Sequence, residues 1–468
     1  MAGKRLSPLD MLFLTVESQE TMLHVAGLLQ FKPTNGARAE EITAQMRDEL
    51  ASVVVEPPWN LKLAYPNFLL HPMQRWVTDT EIDPTYHVRR SALPSPGDER
   101  ELGVLISRLH SRPLDLSRPP WEAHLIEGLE NGNLALYVKV HHSLVDGYTA
   151  AKLLSRALSK DPDDTGTPLF FAVPPTRRER ASLLDSAPAP SLGGVVDTVR
   201  SGFTSLNDVF KALVKVNRSR RDEANALVPS LQAPRTIFDN RISRNRRFAT
   251  QQYDLPRLKR IAAATGGTLN DVLLAICAGG LRRYLSELGE LPDKPLIAFI
   301  PVNVRPKDDP GGGNAVAGML ANLSTHIDDP KERIESIIAS TRAAKEQMEG
   351  MTRNAILAYT AILSAPFVVQ TSTAQAGLGQ VLPPTYNVMI SNVPGPTEPL
   401  YFRGHKLESD YPVSIPMHGT ALNITCLSYA GTLNVGFIGC RDNAPHLQHL
   451  AVYSGDAVVE LETAFGIK

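Results

Sequence analysis

Apolar and polar residues alternate with a period of two from Leu134 to Val140, the pattern of a half-buried strand. That period places Leu134, Leu136, Val138, Val140 and the following His142 on one face. Tyr137, Lys139 and His141 fall on the other, which the phenol and the cation mark as the more polar side. Asp146-Gly147 then turns the chain into a helix expected from Tyr148 to Ser159. Further along, strands are expected at 246–255, 296–304, 386–392 and 433–439. Helices are expected over 256–264, opened by a proline in the first turn, over 271–288, and from Pro330 to about Glu349. Between Asp161 and Pro234 the character changes to loop and linker, with Asp161-Pro-Asp-Asp, Arg177-Arg-Glu-Arg and Ala187-Pro-Ala-Pro, and with amphipathic helices expected in 192–216. The periodicities therefore predict an α/β chain in two mixed halves, residues 1–160 and 236–468, joined by a helical linker over 161–235.

Length supports that division, since 468 residues suffice for two cores. A formal net charge of -1 argues against a general nucleic-acid binder. The charge is uneven, however: between Arg177 and Arg260 there are 17 Lys/Arg against 8 Asp/Glu, most clustered at Arg241, Arg244, Arg246 and Arg247. Attraction to anionic lipid, attraction to the phosphates of coenzyme A and plain solvated helix faces all fit that excess. The three cysteines, Cys277, Cys426 and Cys440, have no metal-like spacing and point to a reducing, cytoplasmic setting. Residues 1–10 are polar and interrupted by Pro8, so no signal peptide is expected. The most apolar run, 355–369, is broken by Pro366 and too short to span a bilayer; it reads as a buried helix or a lipid-facing one. Gly311-Gly-Gly-Asn lacks the lysine and serine of a phosphate loop, and no dinucleotide fingerprint is present.

Chemistry concentrates at His141-His142-Ser143-Leu144-Val145-Asp146-Gly147. His142 continues the inward row as the strand ends, where a neutral imidazole can act as a general base. The competing reading is a buried histidine satisfied by the main chain. His141, on the opposite face, suits a structural hydrogen bond. Metal ligation by the pair is disfavoured, because adjacent strand residues point apart and no third ligand is spaced nearby. Asn270 reads as the N-cap of a helix beginning at Asp271, which suits a first turn electrostatically. Gly147 suggests a close approach or an unusual backbone angle after the motif.

The HHxxxDG pattern does not stand alone. Leu6-Ser-Pro-Leu-Asp-Met-Leu-Phe-Leu14, Met22-Leu-His-Val-Ala-Gly27 and Pro113-Leu-Asp-Leu-Ser-Arg-Pro-Pro-Trp-Glu122 precede it. Thr268-Leu-Asn-Asp-Val272, Pro301-Val-Asn-Val-Arg305 and Ser391-Asn-Val-Pro-Gly-Pro396 follow. In this order the chain, from about residue 4 to about residue 460, resembles the bacterial wax ester synthase/diacylglycerol acyltransferase family, in the superfamily of chloramphenicol acetyltransferase and peptide-synthetase condensation domains. Asp10 departs from the family's usual N-terminal motif. The resemblance implies two chloramphenicol-acetyltransferase-like sheet-and-helix domains with an active-site tunnel between them. It implies His142 as general base and no cofactor, with acyl-CoA as co-substrate and a fatty alcohol or a diacylglycerol as acceptor. It also implies Asn270 and Asp271 near the active site, Asn270 as a possible oxyanion contact, and for Asp146 a structural ion pair, with Arg305 as candidate partner. A cytoplasmic enzyme touching the membrane or lipid droplets peripherally fits that chemistry. Two alternatives stay open: an acyltransferase with a carrier-protein donor or an amine acceptor, and a non-catalytic lipid-binding protein of the same fold.

Overall fold

The computed structural model describes residues 4–176, 228, 232–303, 316–349, 371, 373 and 383–467, apart from 35 and 70. The first half runs Lys4–Arg5 (β1), Pro8–Val16 (α1), His24–Lys32 (β2), Ala39–Glu49 (α2), Leu61–Leu63 (β3), Arg75–Thr78 (β4), Pro84–His87 (α3), Val88–Ala92 (β5), Glu99–His110 (α4), Trp121–Glu127 (β6), Leu134–His141 (β7) and Gly147–Ser155 (α5). The second runs Arg246–Asp254 (β8), Leu255–Thr265 (α6), Leu269–Glu287 (α7), Ile297–Asn303 (β9), Val316–Asn322 (β10), Pro330–Met348 (α8), Val388–Pro394 (β11), Tyr401–Phe402 (β12), His405–Val413 (β13), Leu422–Tyr429 (β14), Thr432–Cys440 (β15) and Leu447–Ala464 (α9). The expected helices over 192–216 and the apolar run 355–369 lie outside the described residues.

Two six-stranded sheets carry the architecture, in the orders β12-β13-β2-β7-β6-β5 and β10-β9-β11-β14-β15-β8, beside a small β1-β4-β3 sheet. β12 and β13 come from the second half, yet β13 pairs with β2 and carries β12 with it, so a hairpin is exchanged into the first half's sheet across the division read from sequence. A second tie closes the edge of the other sheet. The main-chain N–H groups of Phe248 and Arg246 on β8 donate to Ser107 Oγ and Ser111 Oγ of α4, both at 2.9 Å. Those serines cover donors that an edge strand otherwise leaves open. The sheets also meet at Gly436, where a Cβ would stand 1.9 Å from the carbonyl oxygen of Pro412. Only a glycine allows that approach.

Helix α7 is the core of the second half, buried from Asp271 to Leu281 and again at Tyr284 and Leu285. Gly280 lets α9 lie against it, since a Cβ there would stand 2.4 Å from Ser454 Oγ. Its N-terminus differs from expectation. Thr268 is the N-cap, and Asn270 already lies inside the first turn. Thr268 and Asp271 form a reciprocal capping box, with Asp271 Oδ2 accepting from the Thr268 main chain at 2.7 Å. That box starts the helix before Asn270.

Two other expectations are corrected. β7 is buried along its whole length, so its polar face is not a solvated one. Helix α5 ends at Ser155 instead of continuing to Ser159. Ser159 is bridged to Tyr401 instead, with N–H to carbonyl bonds of 2.8 and 2.7 Å in the two directions. The exchanged hairpin thus takes up the backbone that a longer helix needs.

Candidate active site

β7 ends at His141, and main-chain bonds fix the exit of the chain. His141 N donates to Pro120 O at 2.9 Å, and His142 N donates to Leu23 O at 2.8 Å. The strand that precedes the base is therefore pinned from both sides before the helix begins. Asp146 then caps α5, its Oδ1 accepting from Thr149 N at 2.7 Å. Capping is the role the described residues show for Asp146. Arg305, its expected ion-pair partner, lies outside them.

The two histidines of the motif have opposite environments. His141 is fully buried and held at both nitrogens. Its Nδ1 accepts from Ser143 N at 3.2 Å and from Ser143 Oγ at 2.6 Å, so Nε2 carries the proton and donates to Glu17 Oε2. Both ring nitrogens are thus occupied by protein partners. Ser143 is consumed in the same contacts and is no free nucleophile.

His142 is only partly buried, with its ring 4.5 Å from that of Phe13. Its Nδ1 is sealed in and finds no hydrogen-bond partner among the described residues. Nε2 is then the nitrogen left for a substrate. Burial pushes its pKa down to about 4, against the pull of the Asp146 carboxylate and with the help of neighbouring His141. At neutral pH the ring is therefore an unprotonated base.

A cavity of about 70 Å³ lies beside this strand end, between α5 and strands of both sheets. Gly27, Val138, Val140, Leu154, Val393 and Asp410 are among its walls, and Gly147 borders it. Gly147 is exposed, has nothing within 4 Å of a would-be Cβ and needs no left-handed backbone. The expected close approach is absent, and the missing side chain instead keeps the helix end clear. A second cavity of about 150 Å³ continues along α5, past Tyr148, Lys152, Ser155 and Pro396. A third, lined only by apolar residues such as Leu136, Phe171 and Phe402, lies under the same helix.

The other expected site residues fall elsewhere. Asp271 is spent on the capping box and on Thr341, whose Oγ1 donates to its Oδ1 at 2.6 Å. Asn270 is partly buried, and its side chain makes no hydrogen bond among the described residues. Neither borders the three cavities around α5. Of the clustered arginines, Arg246 is buried and donates to Glu20 O at 2.5 Å, while Arg241 pairs with Glu20 Oε2 at 2.8 Å. Those two serve the fold instead of an anionic ligand. Among the described residues no group of three His, Cys, Asp or Glu is placed to hold a metal ion.

Three residues at the site were not singled out from the sequence. Phe13 sits within the N-terminal motif, which reads as scaffolding because Ser7 and Asp10 form a capping box. Glu17 is 124 positions from His141, and no local signal links them. Asp410 is an ordinary strand residue until its surroundings are seen.

The sequence pattern of the wax ester synthase/diacylglycerol acyltransferase catalytic domain matches residues 6–273, and that of the family's C-terminal domain matches residues 312–462. The chain belongs to this family. It is an O-acyltransferase of that family. It is 53% identical to a putative diacylglycerol O-acyltransferase of Mycobacterium tuberculosis, over 99% of this chain and 98% of that one. Among solved structures it resembles the wax ester synthase/diacylglycerol acyltransferase of Marinobacter aquaeolei VT8, with a TM-score of 0.78, 36% identity, and coverage of 99% of this chain and 100% of that one. The first condensation domain of the calcium-dependent antibiotic synthetase shares the fold alone, at 14% identity and a TM-score of 0.57, over 99% of this chain and 97% of that one. The two sheet-and-helix halves are thus those of the chloramphenicol-acetyltransferase-like fold. No single described helix is long and apolar enough to cross a membrane.

Proposed function

We propose that the protein transfers a long-chain acyl group from coenzyme A to the hydroxyl of a fatty alcohol or a diacylglycerol, with His142 as general base. The observation that carries this reading is a partly buried His142, its pKa held low by burial, at the end of a pinned strand whose Val140 lines a cavity walled by both sheets. In the forward step His142 takes the proton of the acceptor hydroxyl while its oxygen bonds to the thioester carbonyl. The C–S bond then breaks, and the proton passes to the departing thiolate. Direct transfer is favoured over an acyl-enzyme, since Ser143 is locked onto His141 and all three cysteines are buried. The apolar walls exclude water and so suppress thioester hydrolysis. Palmitoyl-CoA supplied with hexadecanol or with a diacylglycerol tests the reading, and its outcome also ranks the two acceptors.

The electrostatics add a pH signature. The base form of His142 is present above its folded pKa of about 4 and is lost below it. The acid limb of kcat/KM is therefore expected near pH 4, well below the ordinary histidine value of about 6.5. Stability moves in the same direction. Burial also holds His110 at about 3, so the unfolded chain binds more protons than the folded one between about 6.5 and 3. Stability thus falls as pH drops through that window, and the limb is read at pH values where circular dichroism still shows the native fold. A limb at pH 6–7 instead contradicts a desolvated His142.

We also propose peripheral contact with a membrane or lipid droplet, in a reducing cytoplasmic setting that three unpaired cysteines support. Phe68 and Met73, 56% and 62% exposed on the loop between β3 and β4, are the proposed contacts. Replacing both with glutamate is expected to lower co-sedimentation with phosphatidylglycerol vesicles several-fold. Unchanged co-sedimentation removes this loop from the contact.

A further inference from the structure

Helix α1 opens on the capping box of Ser7 and Asp10, which sets the rotation of the short helix that follows. Asp10, Phe13 and the C-cap Glu17 stand three and four positions apart, so they share one stripe of it. That stripe crosses the end of β7. Phe13 sets its ring 4.5 Å from the ring of His142, tilted by 46°, and Glu17 accepts from His141 Nε2. The capping box anchors one end of α1 and the Glu17–His141 bond the other, with Phe13 held between them.

A general base needs such a hold. The imidazole χ2 torsion is broad and roughly two-fold, and half a turn about it puts Cε1 where Nε2 stood. In other acyl-transfer sites a third group bonded to the far nitrogen prevents that turn. Here no other described residue bonds Nδ1 of His142. The main-chain bond from His142 N to Leu23 O fixes the strand end and leaves the ring free to rotate. Among the described residues, Phe13 is the aromatic side chain packed against that ring.

We propose that Phe13 is the positioning residue of His142, its ring holding the imidazole so that Nε2 points at the acceptor hydroxyl. This rests on the acyl-transfer reading above. Aromatic pairs favour particular offsets and tilts, whereas an aliphatic side chain fills the same space without imposing one. Phe13 acts through His142 and on neither substrate, so its loss falls on kcat. The phenyl ring also keeps water off the base, and burial is the main cause of the low His142 pKa, about 4. The other titratable groups on that segment are His141 and Asp146, and those on α1 are Asp10 and Glu17. All four stay in place when Phe13 is changed.

The experiment measures kcat and KM with palmitoyl-CoA and hexadecanol for the parent, Phe13→Leu and Phe13→Tyr. In parallel it titrates the His142 ring by NMR of histidine-labelled protein. Leucine is a good helix former of similar bulk, so the first variant keeps α1 in its seat. Phe13→Leu is expected to lose about 10²-fold in kcat, the cost of a base misplaced by about 1 Å, with KM little changed. Its His142 pKa is expected to rise towards the ordinary value of about 6.5, and the acid limb of kcat/KM to rise with it. Phe13→Tyr, which keeps the ring, is expected to match the parent in both readouts. A purely structural role for Phe13 moves neither the titration nor the split between kcat and KM. The parent's kcat in Phe13→Leu overturns the proposal. So does an equal loss in Phe13→Tyr and Phe13→Leu, since the ring then counts for nothing. The titration needs no turnover. An inactive parent whose His142 pKa rises in Phe13→Leu sinks acyl transfer and leaves the hold of Phe13 standing. An active parent whose kcat ignores Phe13→Leu does the reverse.

Discussion

His142→Ala is expected to lower ester synthesis by about 10²–10⁴-fold, the range for losing a positioned general base. The loss should fall on kcat, because the side chain acts on a proton in flight and not on the bulk of either substrate. The fold should survive it. His142 Nδ1 makes no hydrogen bond among the described residues, and the strand end is held by main-chain bonds that alanine keeps. His142→Gln is the stricter version, since it fills similar space with a group that takes up no proton at working pH. Glu17 and His141 define the contrast. Glu17→Gln keeps a hydrogen bond to His141 while removing the charge, and its effect on rate should be much smaller than that of losing His142.

Lys139→Met is expected to destabilise the protein by about 3–5 kcal/mol, the cost of leaving a buried charge without its partner. Lys139 is wholly buried and makes three bonds, to Leu109 O and Arg112 O at 2.9 Å each and to Glu122 Oε1 at 2.6 Å. Burial raises the pKa of Glu122, but His124 and Lys139 outweigh it and hold the carboxyl at about 2. Glu122 is therefore charged at working pH while Lys139 is present; without the ammonium, burial pushes its pKa up and Arg89, at 3.6 Å, is the cation left beside it. Urea unfolding should show the full loss for Lys139→Met and a partial recovery when Glu122→Gln is added. Additive effects of the two changes contradict a coupled pair. Because Lys139 ties the end of α4 to β7 two residues before His141, the single variant should also turn over more slowly while it remains folded.

The general plan was legible in the sequence because it rests on short-range patterns. The two-residue alternation at 134–140 located β7, and Asp329-Pro330 located α8, whose cap accepts from Lys331 N and Glu332 N at 2.8 and 2.9 Å. What escaped depends on contacts between distant segments. β7 read as half-buried, with Tyr137 and Lys139 on its more polar side, yet His110, 27 residues before Tyr137, bonds its hydroxyl at 2.8 Å, and α4 and Glu122 cover Lys139. The end of α5 was set by Tyr401, and the cap of α7 moved because Thr268 with Asp271 competes better than Asn270. Phe13 could not be singled out at all, since its partner is the ring of His142, far along the chain.

The most direct measurement follows one turnover of purified protein mixed with palmitoyl-CoA and hexadecanol, or with a diacylglycerol, reading free thiol and neutral ester together. The expected result is equimolar thiol and ester from the parent, and neither above background from His142→Gln with its circular dichroism unchanged. Ester formed by His142→Gln at the parent's rate contradicts the assignment of His142 as the base.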